Sequence, residues 1–196
     1  MIRNRSELKP QSGISRVSGV VLVTGGSRSG KSAFAQNLAE SSSDERVYIA
    51  TCPRVDEELA CRIERHKQER QGKGWQTIEE ELDIVVALRS IEPGGAVVID
   101  CLTLWINNIL FRSSESKAPT EDEISSAAVE LLEAAEDFGG TVILVTNEVG
   151  MGLVPPQASS RLYRDLVGRC NQTIAKGADQ VVFMVSGIPL YLKGGR

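Results

Sequence analysis

Val20-Val21-Leu22-Val23-Thr24-Gly25-Gly26-Ser27-Arg28-Ser29-Gly30-Lys31-Ser32-Ala33-Phe34 decides the fold of this chain. Its middle, Gly25 to Ser32, fits G-x-x-x-x-G-K-[ST], a phosphate-binding loop. Val20 to Val23 is an apolar run suited to a buried parallel strand. Ala33-Phe34-Ala35-Gln36-Asn37-Leu38-Ala39-Glu40 reads as a helix. Strand, glycine loop and helix in that order aim bare backbone N–H groups and a positive helix end at phosphate oxygens. Gly25, Gly26 and Gly30 permit the tight backbone, with Ser27, Arg28 and Ser29 between them. Lys31 reaches the β- and γ-phosphates, and the Ser32 hydroxyl is placed to ligate Mg²⁺. The stretch predicts a nucleoside triphosphate site. What is done with the nucleotide has to be read elsewhere in the chain.

At 196 residues the length suits one domain with a sizeable core. The fractions of 41% hydrophobic and 24% charged residues describe an ordinary globule. A net charge of −4 argues against a broad nucleic-acid or anionic-membrane surface, so an anion site must be local. No apolar run approaches a membrane span. Cys52, Cys61, Cys101 and Cys170 lie far apart with no C-x-x-C pair. That pattern favours reduced thiols in a cytoplasmic protein over a zinc site or a disulfide framework. Residues 1–18 are polar and lack the apolar core of a secretory signal. Their Arg and Ser content would suit a transit peptide, but Glu7 and the short length argue weakly against one. A loosely ordered extension is expected there, with one domain over residues 19–196.

Outward from the glycine loop, Ser41 to Asp44 reads as a turn and Arg46 to Thr51 as a second strand. Val55 to Arg70 reads as a helix, acidic at its start and basic at its end, as the macrodipole favours. Trp75 to Ile78 suits a short strand. Leu82 to Ile91 suits a helix with Leu82, Val85, Val86 and Leu88 on its apolar side. Ala96-Val97-Val98-Ile99-Asp100 is a buried strand ending in an acid, and Leu102 to Phe111 an apolar helix. Ser113 to Pro119 is a Ser-rich loop. Thr120 and Glu123 form a capping-box pattern. Ile124, Ala127, Ala128, Leu131, Leu132 and Ala135 then recur at helical spacing. Thr141 to Val145 is a strand, Asn147 to Gln157 a Gly- and Pro-bearing loop, and Ser159 to Lys176 a helix. Gln180 to Val185 and Ile188 to Leu192 suit two strands about Ser186-Gly187. Alternation of this kind predicts an α/β domain with a mainly parallel sheet flanked by helices. Its ligands should gather at the carboxyl ends of the strands, where the glycine loop, Thr51 to Pro53, Asp100 and the loop from Asn147 meet.

Three features there could carry chemistry. Asp100, after its apolar run, stands where a second Mg²⁺-organising acid belongs; a helix N-cap or solvated strand end is the plainer alternative. His66 is the only histidine. At about 100° per residue it projects between Val55 and Leu59, near Ile63, opposite Glu57, Glu64 and Gln68. Arg62 and Arg70 flank that face. A neutral imidazole beside two guanidiniums suits attack on phosphorus. Alternatively the histidine is structural, and the arginines form a solvated stripe paired to Glu58 and Glu69. Thr146-Asn147-Glu148-Val149-Gly150-Met151-Gly152 is the third, an unusual strand exit that suits close backbone approach or merely a loop. It is not the Asn-Lys-x-Asp guanine-reading motif, which weakens a molecular-switch reading.

These residues together resemble a family. The marks are Thr24 to Ser32, Tyr48-Ile49-Ala50-Thr51, Asp56-Glu57-Glu58 through Arg62-Ile63 to His66-Lys67, Val145 to Pro155, Gly168-Arg169 with Asn171-Gln172, and Val185-Ser186-Gly187. Between Val20 and Lys193 the chain resembles the bifunctional adenosylcobinamide kinase / adenosylcobinamide-phosphate guanylyltransferases of cobalamin biosynthesis. The resemblance implies a RecA-like P-loop NTPase fold. It implies phosphorylation of adenosylcobinamide with ATP or GTP. Transfer of GMP from GTP to the resulting phosphate would follow, through a guanylylated His66. It implies nucleotide contacts at the P-loop, Ala50, Thr51, Cys52, Lys67, Gln68, Glu69, Arg70, Glu79 and Asp100. It also implies a homo-oligomer, with a trimer among the options. The chain departs from the family at Arg65, where some relatives have a second histidine, at Asp100, where some have Glu, and at Cys52, which replaces a small or hydroxyl residue. Two rivals stand beside this reading: a P-loop kinase of another small metabolite with a structural His66, and a non-catalytic nucleotide-binding regulator.

Overall fold

The computed structural model describes residues 18–53, 64, 67–68, 70–113 and 118–195. All but Ser18 of the extension expected over residues 1–18, most of the helix proposed for Val55 to Arg70, and part of the Ser-rich loop lie outside them. Among the described residues seven strands form one sheet in the order β3-β2-β4-β5-β1-β6-β7. They are β1 (Gly19–Gly25), β2 (Arg46–Ala50), β3 (Trp75–Glu79), β4 (Ala96–Asp100), β5 (Thr141–Val145), β6 (Gln180–Val185) and β7 (Ile188–Lys193). All pair in parallel except β6 with β7, an antiparallel hairpin. The central strands are buried on both faces, which is why β1, β4 and β5 read as unbroken apolar runs.

The helices are α1 (Lys31–Ser42), α2 (Ile84–Arg89), α3 (Leu102–Arg112), α4 (Glu121–Asp137) and α5 (Ala158–Gly177). Alternation along the strands sorts the core into two layers. Val21, Val23, Tyr48, Val98, Ile143 and Val145 face α1 through Ala35, Leu38 and Ala39. Leu22, Ile49, Val97, Ile99 and Leu144 face the opposite way, towards Ile106, Leu131, Leu166 and Ile174. The Thr120 capping box forms as expected, with reciprocal bonds to Glu123.

Two local expectations need correction. Helix α1 runs through Ser42 instead of turning at Ser41, because the Ser41 and Ser42 hydroxyls donate back to the Leu38 carbonyl at 2.7 and 2.8 Å. Helix α2 buries Ile84 and Leu88, while Val86 is 67% exposed and Leu82 precedes the helix. Once Ile84 and Leu88 face inward at i, i+4, a residue two positions from each points roughly the other way. Cys101 and Cys170 are buried, and desolvation lifts their thiols to about 11 and about 12, so both stay neutral and inert.

Candidate active site

Gly25 ends β1 at φ 143°, and a Cβ there would run into the Met184 carbonyl. Only glycine satisfies both constraints. The loop is backed by the β6–β7 turn, where the Gly187 N–H donates to the Ser29 carbonyl at 2.9 Å. Helix α1 starts at Lys31 with Gly30 as N-cap, no side-chain cap and no acidic residue in its first turn. Nothing from its own first turn competes with an anion for the positive helix end. Lys31 is buried, and its ammonium donates to the Gly26 carbonyl at 2.6 Å, closing over the loop. A phosphate is a stronger partner for that ammonium than a neutral carbonyl.

The strand register carries the remaining residues to the same edge. Glu79 pairs with Ala50, Ala50 with Asp100, Asp100 with Val145, and Val145 with Val23. Five strands therefore end in one row, and the glycine loop begins two residues past Val23. Thr51, fully buried, donates its hydroxyl to the Cys101 carbonyl at 2.9 Å and accepts the Cys101 N–H at 2.8 Å. The Asp100–Cys101 peptide is cis. Cys52 is half-buried beside them.

Asp100 faces α1's side of the sheet. Its Oδ2 accepts the Tyr48 phenol at 2.7 Å. Burial, and then the facing carboxylate, push Tyr48 well above its ordinary 10.0, so it remains a donor. The Arg70 guanidinium lies 3.7 Å over the Tyr48 ring, and Trp75 meets that ring edge-on. Arg70 is itself 4% exposed, and its Nε and Nη1 find no hydrogen-bond acceptor among the described residues. Buried donors of that kind call for an acceptor, which a phosphate oxygen would supply. Lys67 bonds Glu79 at 2.5 Å, tying the segment that carries it to the end of β3. Glu64, Lys67, Gln68 and Arg70 are helical, in line with the predicted helix. His66 and Glu69 lie outside the described residues. Among the described residues no group of three or more His, Cys, Asp or Glu could hold a metal. Ser32 is the second residue of α1 and Asp100 the last of β4; an ion of the Mg²⁺ type takes one or two protein ligands and otherwise phosphate and water oxygens.

The exit of β5 is anchored from three sides. The buried Thr146 hydroxyl donates to Asn171 Oδ1 on α5 at 2.7 Å, and the Thr146 N–H to the Val23 carbonyl at 3.0 Å. Asn147 Nδ2 donates to Thr103 on α3 at 3.3 Å. The Glu148 N–H donates to the Gly25 carbonyl at 3.1 Å, which places Glu148 against the first residue of the glycine loop.

Loop, sheet order and converging side chains define the class: a P-loop nucleotide-binding α/β protein of RecA-like fold. A solved ATPase domain shares it, with a TM-score of 0.50 at 18% identity over 85% of this chain and 69% of that one. So does the flagellar accessory protein FlaH from Methanocaldococcus jannaschii, with a TM-score of 0.50 at 12% identity over 91% and 81%. At such identities the likeness speaks for the fold alone. The chain belongs to the cobinamide kinase / cobinamide phosphate guanyltransferase family, which it matches over residues 21–192. It is 41% identical over 174 residues to the bifunctional adenosylcobalamin biosynthesis protein CobP of Pseudomonas aeruginosa, covering 88% of this chain and 96% of that one. It is 40% identical over 183 residues to the protein named CobU of Escherichia coli, covering 89% and 99%. The CobU of Salmonella typhimurium is 38% identical over 185 residues, at the same coverage.

Tyr48, in the sequence only one of the residues that mark the family resemblance, contacts both Asp100 and Arg70 in the structure. Read alone, its place in a short strand gives it no polar partner. Its link to Asp100 exists only because β2 and β4 are neighbours in register.

Proposed function

We propose that the protein phosphorylates adenosylcobinamide with ATP or GTP and then transfers GMP from GTP to adenosylcobinamide phosphate, releasing pyrophosphate. The observation that carries this reading is the family match, which spans both the P-loop and His66. In the first reaction the loop N–H groups and Lys31 grip the β- and γ-phosphates, with the ammonium exchanging the Gly26 carbonyl for phosphate oxygen. Ser32 and Asp100 would hold Mg²⁺, which would supply charge neutralisation at those phosphates. In the second, His66 attacks the α-phosphorus of GTP. A nitrogen–phosphorus bond forms, and the bond to the pyrophosphate oxygen breaks. The phosphate of the first product then attacks the histidine-bound GMP and frees the imidazole. Two displacements replace one between mutually repelling anions. Arg70 and Lys67 serve the nucleotide's phosphates, and Ala50, Thr51, Cys52, Gln68, Glu69 and Glu79 line its site.

The protein works in the cytoplasm as a homo-oligomer. No described helix is long and apolar enough to cross a membrane. Edge strand β7 exposes Ile188, Leu190 and Leu192, apolar surface that a second copy would cover.

The test is product analysis by mass spectrometry after incubation with adenosylcobinamide, GTP and Mg²⁺. The wild type should yield the phosphate and then the GDP adduct. Lys31→Ala should yield neither, and His66→Ala should stop at the phosphate. A wild type that gives no corrinoid product, or a His66→Ala protein that still makes the GDP adduct, contradicts the proposal.

A further inference from the structure

The loop leaving β5 takes no part in the nucleotide contacts above, yet it walls a cavity of about 700 Å³. Glu148, Gly150 and Gly152 form one side, and Arg164, Gly168 and Gln172 of α5 the other. The helix contributes a single stripe, since residues four apart share a face. The Glu148 side of the cavity is joined to the P-loop through the backbone, since the Glu148 N–H donates to the Gly25 carbonyl at 3.1 Å. Glu148 Oε1 also accepts the Gly150 N–H at 3.1 Å, which fixes the carboxylate at the cavity wall.

Gly168 supplies an independent observation. It lies inside the 20-residue helix α5, where glycine is the poorest residue apart from proline. A Cβ at Gly168 would meet nothing within 4 Å. No close approach among the described residues requires this glycine, and the space it leaves open belongs to the cavity. The wall carries both signs of charge. Arg169 is bonded to Glu121 at 2.6 Å, and Arg164, Asp165 and Glu148 complete it, with Val154 65% exposed at the lip. Mixed donors and acceptors with an apolar lip suit a bulky ligand bearing neutral polar groups, and do not suit a polyanion.

We propose that this cavity is the subsite for the alcohol that accepts the phosphoryl group, and that Glu148 is the general base of that transfer. The inference rests on the kinase reading above. As the alcohol oxygen bonds to the γ-phosphorus, its proton passes to the Glu148 carboxylate. The bond from the γ-phosphorus to the β–γ bridging oxygen breaks, and the electron pair leaves with the nucleoside diphosphate.

Three variants test it: Glu148→Gln, Glu148→Asp and Gly168→Leu, with Gly168→Ala as a folding control. Two readouts are taken: steady-state phosphorylation of adenosylcobinamide, and covalent labelling of the protein by α-labelled GTP in the absence of acceptor. Glu148→Gln should lower the phosphorylation kcat about a hundredfold or more. Its labelling rate should stay at the wild-type value, and Glu148→Asp should recover part of kcat. Gly168→Leu should raise the acceptor KM about tenfold while the nucleotide KM holds. Wild-type phosphorylation kinetics in Glu148→Gln, equal loss of phosphorylation and labelling, or an unchanged acceptor KM in Gly168→Leu overturns the assignment. A wild type that does not phosphorylate the acceptor sinks the kinase reading itself, which separates the two failures.

Discussion

Tyr48 holds the two charges beside it in place. Its hydroxyl is committed to Asp100 Oδ2, and its ring face carries the Arg70 guanidinium. Tyr48→Phe removes the first contact and keeps the second. We expect it to raise the Mg²⁺ concentration for half-maximal activity several-fold, while nucleotide affinity measured without metal changes little. Tyr48→Leu should weaken nucleotide binding as well, because Arg70 loses its platform. Equal Mg²⁺ dependence in Tyr48→Phe and wild type would refute the link to Asp100. Lys31→Ala deletes the ammonium that the phosphates should claim from Gly26. A hydrogen bond to a charged group is worth about 2 kcal/mol, or roughly thirtyfold in affinity. Titration with GTP, with thermal unfolding as the control, measures that loss. At this scale the glycine loop was legible because its whole chemistry is local in sequence. Tyr48 was not, because its role depends on which strand lies beside β2.

Among the elements, the approach to α2 shows how a short helix is started without a cap of its own. Asp83 makes no side-chain cap bond. Instead Glu80 Oε1 accepts the Leu82 and Asp83 N–H groups at 2.8 and 2.9 Å. Those bonds hold the Glu80 carboxyl below its ordinary 4.5. Its folded-state value is therefore the lower one. The stabilisation is complete above the unfolded value and is lost as pH falls through the folded value. Glu80→Gln should flatten the stability profile below about pH 4.5 relative to wild type and leave the neutral region parallel. Urea midpoints from pH 3 to 7 measure this, and an unchanged acid limb would contradict it. Long elements such as α4 and α5 were legible from period and capping alone. The six-residue α2 was not, because Val85, Val86 and Leu88 fit more than one phase until packing against the sheet selects Ile84 and Leu88.

Across the whole molecule, the sheet's two ends differ. One ends in β3, where Glu79 and Trp75 are tied to Lys67 and Glu40. The other ends in β7, whose residues are all exposed and mostly apolar. Light scattering should give a mass that is a multiple of 21.2 kDa, and Leu190→Lys should lower it towards one copy. A wild-type monomer at micromolar concentration would contradict this. The α/β class, the parallel sheet and the meeting of four segments at one edge were all legible, since each follows from alternation of elements. The strand order was not, because it is set by which apolar faces the helices cover. Splitting of GTP at the α-phosphate by this P-loop edge is what separates the enzyme from an ordinary kinase. GTP labelled at that phosphorus, incubated with Mg²⁺ and folded protein, is the direct measurement. The expected result is an acid-labile, alkali-stable protein label that is absent in His66→Ala. Folded wild-type protein that binds GTP and acquires no such label, or a His66→Ala protein that acquires it equally, contradicts the account.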